Sequence, residues 1–283
     1  WNSWIHTLFE KSYRMKMGSF KVPTENFFVV NELSLVAKVM DDETKEYPKH
    51  RLMNDMLDPL LGRSVFSTNG KLWEDQRQMI NPAFMHTNLK RAFPAMDASA
   101  ADLVALLHAQ DLTRPVDIDP LMTHVTADVI FRTMFGMTLS QQESARVYEA
   151  FNRYQKHVQP AMILQLYRLP SFGRRRKMKA AAADVHALFA PIVAARLDTL
   201  ARGGDKPADI LQALIDARHP ETGEPFSQQD LLDQLSIIFL AGHETSASAL
   251  GWTFYLLSEC PEWQDRLLAE IEEATEGAEI TYE

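Results

Sequence analysis

One cysteine, Cys260, stands among 283 residues. A lone cysteine excludes an internal disulfide framework and fits a reducing compartment. There is no basic excess either: 29 lysines and arginines face 38 aspartates and glutamates, a formal net charge of −9. That balance argues against nucleic acid as a partner. The start carries no charged n-region followed by an apolar run, so no signal peptide is read there. Internal repeats and low-complexity segments are also absent. What is there is an ordinary soluble composition, 46% hydrophobic and 24% charged, long enough for a sizeable core. The one basic cluster, Gly173-Arg-Arg-Arg-Lys-Met-Lys179, reads as a solvated face before it reads as a docking surface.

The chain is organised around residues 231–257, LLDQLSIIFLAGHETSASALGWTFYLL. As a helix this stretch spans about 40 Å. Ser227-Gln228-Gln229-Asp230 is a capping pattern before it, and Pro261 fits the first turn of the next helix. Apolar residues fall on all sides, which predicts burial all round. Only His243-Glu244-Thr245-Ser246 interrupts them. A carboxylate in such a helix is costly unless something pairs with it or uses it. A membrane span has this length but not a central Glu244 or a Gln- and Asp-rich start. A zinc protease needs H-E-x-x-H, and Ala247 stands where its second histidine belongs. A core helix with a back-bonded polar patch remains open.

In chain order, residues 1–10 carry apolar residues at helical spacing. Residues 12–30 are the best candidate for a pair of strands, and Asn31 is placed to cap a helix over 32–40. Residues 41–70, punctuated by Pro48, Pro59, Gly62 and Gly70, lack a sustained period and read as a long loop. Helices are predicted over 89–109, broken near Pro94, and over 121–135, ended by Gly136. Further helices are predicted over 147–158, ended by Pro160, over 176–202 with Pro191 inside, over 209–218, and over 261–274. The last carries Trp263, Leu267, Leu268 and Ile271 on one side. Trp73 and Arg77 are four apart and share a helix face. Alone, that pair reads as one packed aromatic and one solvated arginine.

Two motifs in order change the reading. Ala241-Gly242-His243-Glu244-Thr245-Ser246 resembles the A-G-x-[DE]-T-[ST] motif of the cytochrome P450 distal helix. The run from Gly70 to Phe84, G-K-L-W-E-D-Q-R-Q-M-I-N-P-A-F, resembles that family's G-x-x-W-x-x-x-R-x-x-x-x-P-x-F segment. The resemblance covers essentially the whole chain, 1–283, as one partial domain. It implies a mainly α fold, a helical bundle around a long buried central helix with a small β-hairpin near the N-terminus. It stops before the family's later E-x-x-R helix and the glycine-rich cysteine loop. Cys260, between two helices in Ser258-Glu259-Cys260-Pro261, does not fit that loop.

The resemblance further implies a haem b monooxygenase whose axial thiolate lies outside this chain. It would use O2, an apolar small-molecule substrate and an electron-transfer partner, a ferredoxin or a flavoprotein reductase. Thr245 would bond the bound oxygen and hold water, and Glu244 would control proton access. Ala241 and Gly242 would contact the distal haem face, where small residues let a flat cofactor approach. Trp73 and Arg77 would donate to a haem propionate, for which a bidentate guanidinium is suited. Ser64 and Val65, in the loop 62–66, would face the substrate. No metal ligand is expected within the chain itself. The expected location is cytoplasmic, soluble and bacterial-like, with an anchor upstream of Trp1 left open. Two other classes stay open: a catalytically dead fragment, and a haem-free helical bundle with a structural polar block.

Overall fold

The computed structural model describes residues 10–41, 46–111 and 113–282. The helix expected over 1–10 lies outside the described residues but for Glu10, which opens a 3-10 turn, Glu10–Tyr13. The expected strand pair forms an antiparallel hairpin, β1 (Met17–Lys21) on β2 (Asn26–Val30). Phe20 stands opposite Phe27 in the register, and their rings stack at 5.0 Å. Asn31 does not cap the next helix. Its amide donates to the Ser12 and Met15 carbonyls, fastening the hairpin to the preceding turn. α1 (Leu33–Met40) starts from Glu32 without a side-chain cap.

The long loop expected over 41–70 is corrected by α2 (Arg51–Leu61). Leu52, Met56 and Leu60 recur every four residues and are buried, a helical stripe that the flanking prolines mask in the sequence. His50 caps it, its ring accepting from the Leu52 N–H at 3.1 Å. Pro59 sits in the last turn, where its missing N–H costs a single bond, to the Asp55 carbonyl. Then come α3 (Gly70–Ile80) and a 3-10 turn, Asn81–Phe84. α4 (His86–His108) runs unbroken through Pro94, and α6 (Gln141–Leu166) runs on past Pro160 to Leu166. A proline removes one hydrogen bond. Where the turn after it is buried, as at Ala161 and Leu166, packing offsets that loss. Between them α5 (Asp119–Phe135) ends at Gly136 with φ 66°, the left-handed cap that glycine adopts freely.

α7 (Phe172–Ala201), α8 (Ile210–Asp216), α9 (Gln228–Glu259) and α10 (Pro261–Thr275) complete the described chain. The predicted cap of α9 forms as a reciprocal box between Ser227 and Asp230. The fold is mainly α. α9 packs chiefly on α5, α7 and α2, and α6 packs on α7. Phe131, Phe151 and Phe189 surround Phe239 of α9 at ring distances of 5.5–5.8 Å. α7 is the one described helix long and apolar enough to cross a membrane, yet its Val185, Phe189 and Val193 are fully buried in this core.

Burial of α9 all round holds only for its first part. Leu231 to Phe239 is largely buried, whereas Trp252, Tyr255 and Leu256 are 64%, 52% and 56% exposed. The apolar side of α10 is exposed as well. Both follow from where partners lie, because α10 touches α9 only briefly.

One contact fixes the segment between α2 and α3. Gly62 has φ 47° and ψ −135°, a conformation open essentially to glycine. A side chain there would also meet the Asp233 carboxylate of α9 at 2.0–2.5 Å. Gly62→Ala is therefore expected to destabilise the fold by about 3 kcal/mol. The measurement is a lower urea midpoint at unchanged slope; a wild-type midpoint would contradict the contact.

Candidate functional site

The site is built on the middle of α9, where five residues face different ways. Phe239, His243 and Ala247 point into the core. His243 is 2% exposed and stacks on Phe239 at 4.7 Å, with Phe151 at 5.8 Å. Its Nδ1 is buried without a hydrogen-bond partner. Burial holds its pKa below the usual 6.5, and the nearby Glu244 charge only partly opposes that. The imidazole is therefore neutral, as an apolar setting demands.

Ala241 and Thr245, four residues apart, share the opposite and exposed face. The Thr245 hydroxyl donates to the Ala241 carbonyl at 2.6 Å. The back-bonding anticipated for a bland core helix is therefore present, but on a face that nothing among the described residues covers. Glu244 is exposed beside them. Its two carboxylate oxygens accept from the Gln155 side-chain amide of α6 at 2.8 and 2.7 Å. Gln155 was not legible in the sequence, where α6 showed only its apolar face 89 residues away.

Gly242 has a structural role. A Cβ there would lie 2.4 Å from the Cδ1 of Ile130 in α5. The missing side chain therefore lets two helices approach closely. A cavity of about 490 Å³ flanks the polar block between α9, α6 and the start of α5. Tyr148, Asn152, His243, Glu244 and Trp252 line it, but neither Ala241 nor Thr245 does.

Trp73 and Arg77 lie on α3, which makes no substantial contact with α9. Trp73 is 38% exposed and Arg77 is exposed. Among the described residues Arg77 has no hydrogen bond or ion pair from its side chain. The segment between Gly62 and Asn69 links the two helices. Arg63 donates its N–H to Asp233 at 3.0 Å, and Val65 donates its N–H to Gln234 at 3.0 Å. Burial raises the Asp233 pKa above the usual carboxylate value, while bonds from Gln229 and the Arg63 N–H oppose this. Ser64 is fully buried with an unpartnered hydroxyl, and Val65 packs on the main core. The expectation that both side chains face a substrate is thus corrected: Ser64 is enclosed, Val65 packs on the core, and neither lines the cavity of about 490 Å³. Phe66 beside them is 46% exposed. Cys260 is a free, partly exposed thiol at the α9–α10 junction.

The donor set fits a planar dianionic cofactor. An exposed guanidinium and an exposed indole stand one turn apart on α3, donors that suit a propionate. The Ala241–Thr245 face is small and uncovered.

Comparison with known proteins agrees. The family model for cytochrome P450 matches residues 3–283. "Cytochrome P450 72A13" of Arabidopsis thaliana is 31% identical over 250 residues, covering 83% of this chain and 48% of that protein. "Cyclooctat-9-en-7-ol 5-monooxygenase" of Streptomyces melanosporofaciens is 33% identical over 229 residues, covering 79% and 48%. A crystal structure of the cytochrome P450DA haem domain superposes with a TM-score of 0.76 at 23% identity, over 94% of this chain and 57% of that one. The chain spans about half the length of the curated relatives it matches. The soluble, bacterial-like, cytoplasmic expectation is overturned by the plant and insect relatives, from Arabidopsis, Glycyrrhiza, Medicago and Drosophila.

The buried imidazole predicts a pH dependence. A histidine whose folded pKa is depressed binds its proton more readily when unfolded. The stability it confers is present above 6.5 and is lost as pH falls from there toward the folded value. His243→Phe should flatten this acid-side loss, whose limiting slope is about 1.4 kcal/mol per pH unit. His124 and His157, also depressed by burial, leave a residual slope. Urea titrations across this range that give parallel curves for variant and wild type would contradict it.

Proposed function

Because the chain belongs to the cytochrome P450 family, we propose that its full-length gene product is a haem-dependent monooxygenase that inserts one atom of O2 into an apolar small molecule. The observation that carries this is the uncovered Ala241–Thr245 face with Glu244 beside it, in a helix otherwise made of core residues. When bound, haem b supplies the oxygen activation. The chain's own residues bind, orient and deliver protons.

Trp73 and Arg77 hold a propionate through the indole N–H and the guanidinium fork. Ala241 offers a surface with little bulk. Glu244, oriented by Gln155, takes protons from solvent and passes them through water toward Thr245. The Thr245 hydroxyl is committed to the Ala241 carbonyl; rotation about χ1 exchanges that partner for a water and aims a proton at the reacting oxygen. The loop 62–66 borders the substrate, with Phe66 as its exposed apolar side chain and Ser64 and Val65 as its anchors. The reaction needs electrons from a redox partner, for which we propose a ferredoxin or a flavoprotein reductase.

Thr245→Ala tests the proton role. In the full-length protein, electron consumption should continue, product formed per electron should fall severalfold, and peroxide should rise. The checks are simultaneous product, electron-donor and peroxide assays. Unchanged coupling contradicts the role of Thr245.

A further inference from the structure

The cavity of about 490 Å³ between α9, α6 and the start of α5 stands apart from the Ala241–Thr245 face. No residue of the loop 62–66 lines it, and of the residues given a part in the reaction only Glu244 does. Its volume falls within the range of small-molecule pockets, roughly 300–1,000 Å³.

The charge around it has one sign. Asp119, in the first turn of α5, and Glu244 border the cavity, and no lysine or arginine does. Glu244 meets the neutral amide of Gln155, and Asp119 has no ion pair among the described residues. A negative cavity on a chain of net charge −9 draws cations. No three metal-binding side chains converge among the described residues, so an organic cation suits the carboxylates better than a metal ion.

The remaining walls agree. Tyr148, Trp252 and Tyr255 line the cavity. Trp252 and Tyr255 meet edge to face, with centroids 5.7 Å apart and planes at 86°, and so form an aromatic corner. Ring faces of this kind attract ammonium groups. His243 borders the same space, 2% exposed, with its Nδ1 buried and unpartnered. A neutral imidazole has one nitrogen lone pair with which to accept an N–H.

We propose that this cavity binds a small organic ammonium with an apolar body, and that its occupant slows proton supply to the reacting oxygen. Binding rests on the cavity alone; the effect rests on the role given to Glu244 above. The ammonium meets the carboxylates and rings, and the apolar body covers Ile118 and Ala247. The occupant takes the place of water beside Glu244 and offsets its charge, so the carboxylate passes on fewer protons. No covalent bond forms or breaks.

The experiment uses the full-length gene product and two probes of one skeleton. Dimethyl(4-phenylbutyl)ammonium is charged at neutral pH; N,N-dimethyl-4-phenylbutanamide is not. Calorimetric titration should show the ammonium binding roughly tenfold more tightly than the amide, with no shift of the Soret band. Asp119→Asn and Trp252→Leu should each weaken it severalfold, and Asp119→Glu should restore it. At saturation, product formed per electron should fall severalfold while the KM for substrate stays unchanged. Equal affinity for the two probes, full affinity in Asp119→Asn, or a Soret shift that places the amine at the haem would overturn the site. A saturated site with unchanged coupling would overturn the link to Glu244. A protein that takes up no haemin yet keeps this calorimetric pattern would instead sink the haem reading and leave the site standing.

Discussion

The close crossing of α5 and α9 at Gly242 is the constraint from which the site follows. With Ile130 pressed where a Cβ would stand, α5 and α9 lie close together at this point. Phe239, His243 and Ala247 are then turned inward, and Ala241 and Thr245 are turned to the uncovered side. A bulkier residue at 242 would push the helices apart. The polar block would then no longer be held against Gln155 of α6. The glycine of the motif thus acts on the site indirectly, by orienting the helix that bears it.

A second constraint ties the two halves of the site, since α3 and α9 barely touch. Gly62 turns the chain out of α2 in a conformation that keeps clear of Asp233. Asp233 and Gln234 then hold the Arg63 and Val65 amides. The carbonyls of the same segment hold Lys49 beside Trp73. Each contact is a modest hydrogen bond. Together they set where α3 presents its donors relative to α9. Burial that raises the pKa of Asp233 marks the cost of placing a carboxylate there.

The sequence made some of this legible and hid the rest for physical reasons. Local signals were reliable: the Ser227–Asp230 box, the left-handed cap at Gly136, the strand pair and the helical spacing of Trp73 and Arg77 all appear as expected. The prolines misled, because the helices continue through Pro59, Pro94 and Pro160, and after Pro160 the buried Ala161 and Leu166 offset the lost hydrogen bond. Gln155, Lys49 and the Gly62–Asp233 clamp could not be seen, since each joins residues far apart in the chain and carries no spacing. Gly242 was legible as a requirement, but the helix contact it permits was not. The Cβ that it lacks would meet Ile130, a neighbour that only the folded chain reveals.

The account stands most directly on whether the full-length gene product binds a thiolate-ligated haem. The measurement is the absorption spectrum of the purified, reduced protein under carbon monoxide. The account predicts the red-shifted Soret band of thiolate-ligated haem. A preparation saturated with haemin that shows no such band, or one that takes up no haemin, would contradict it.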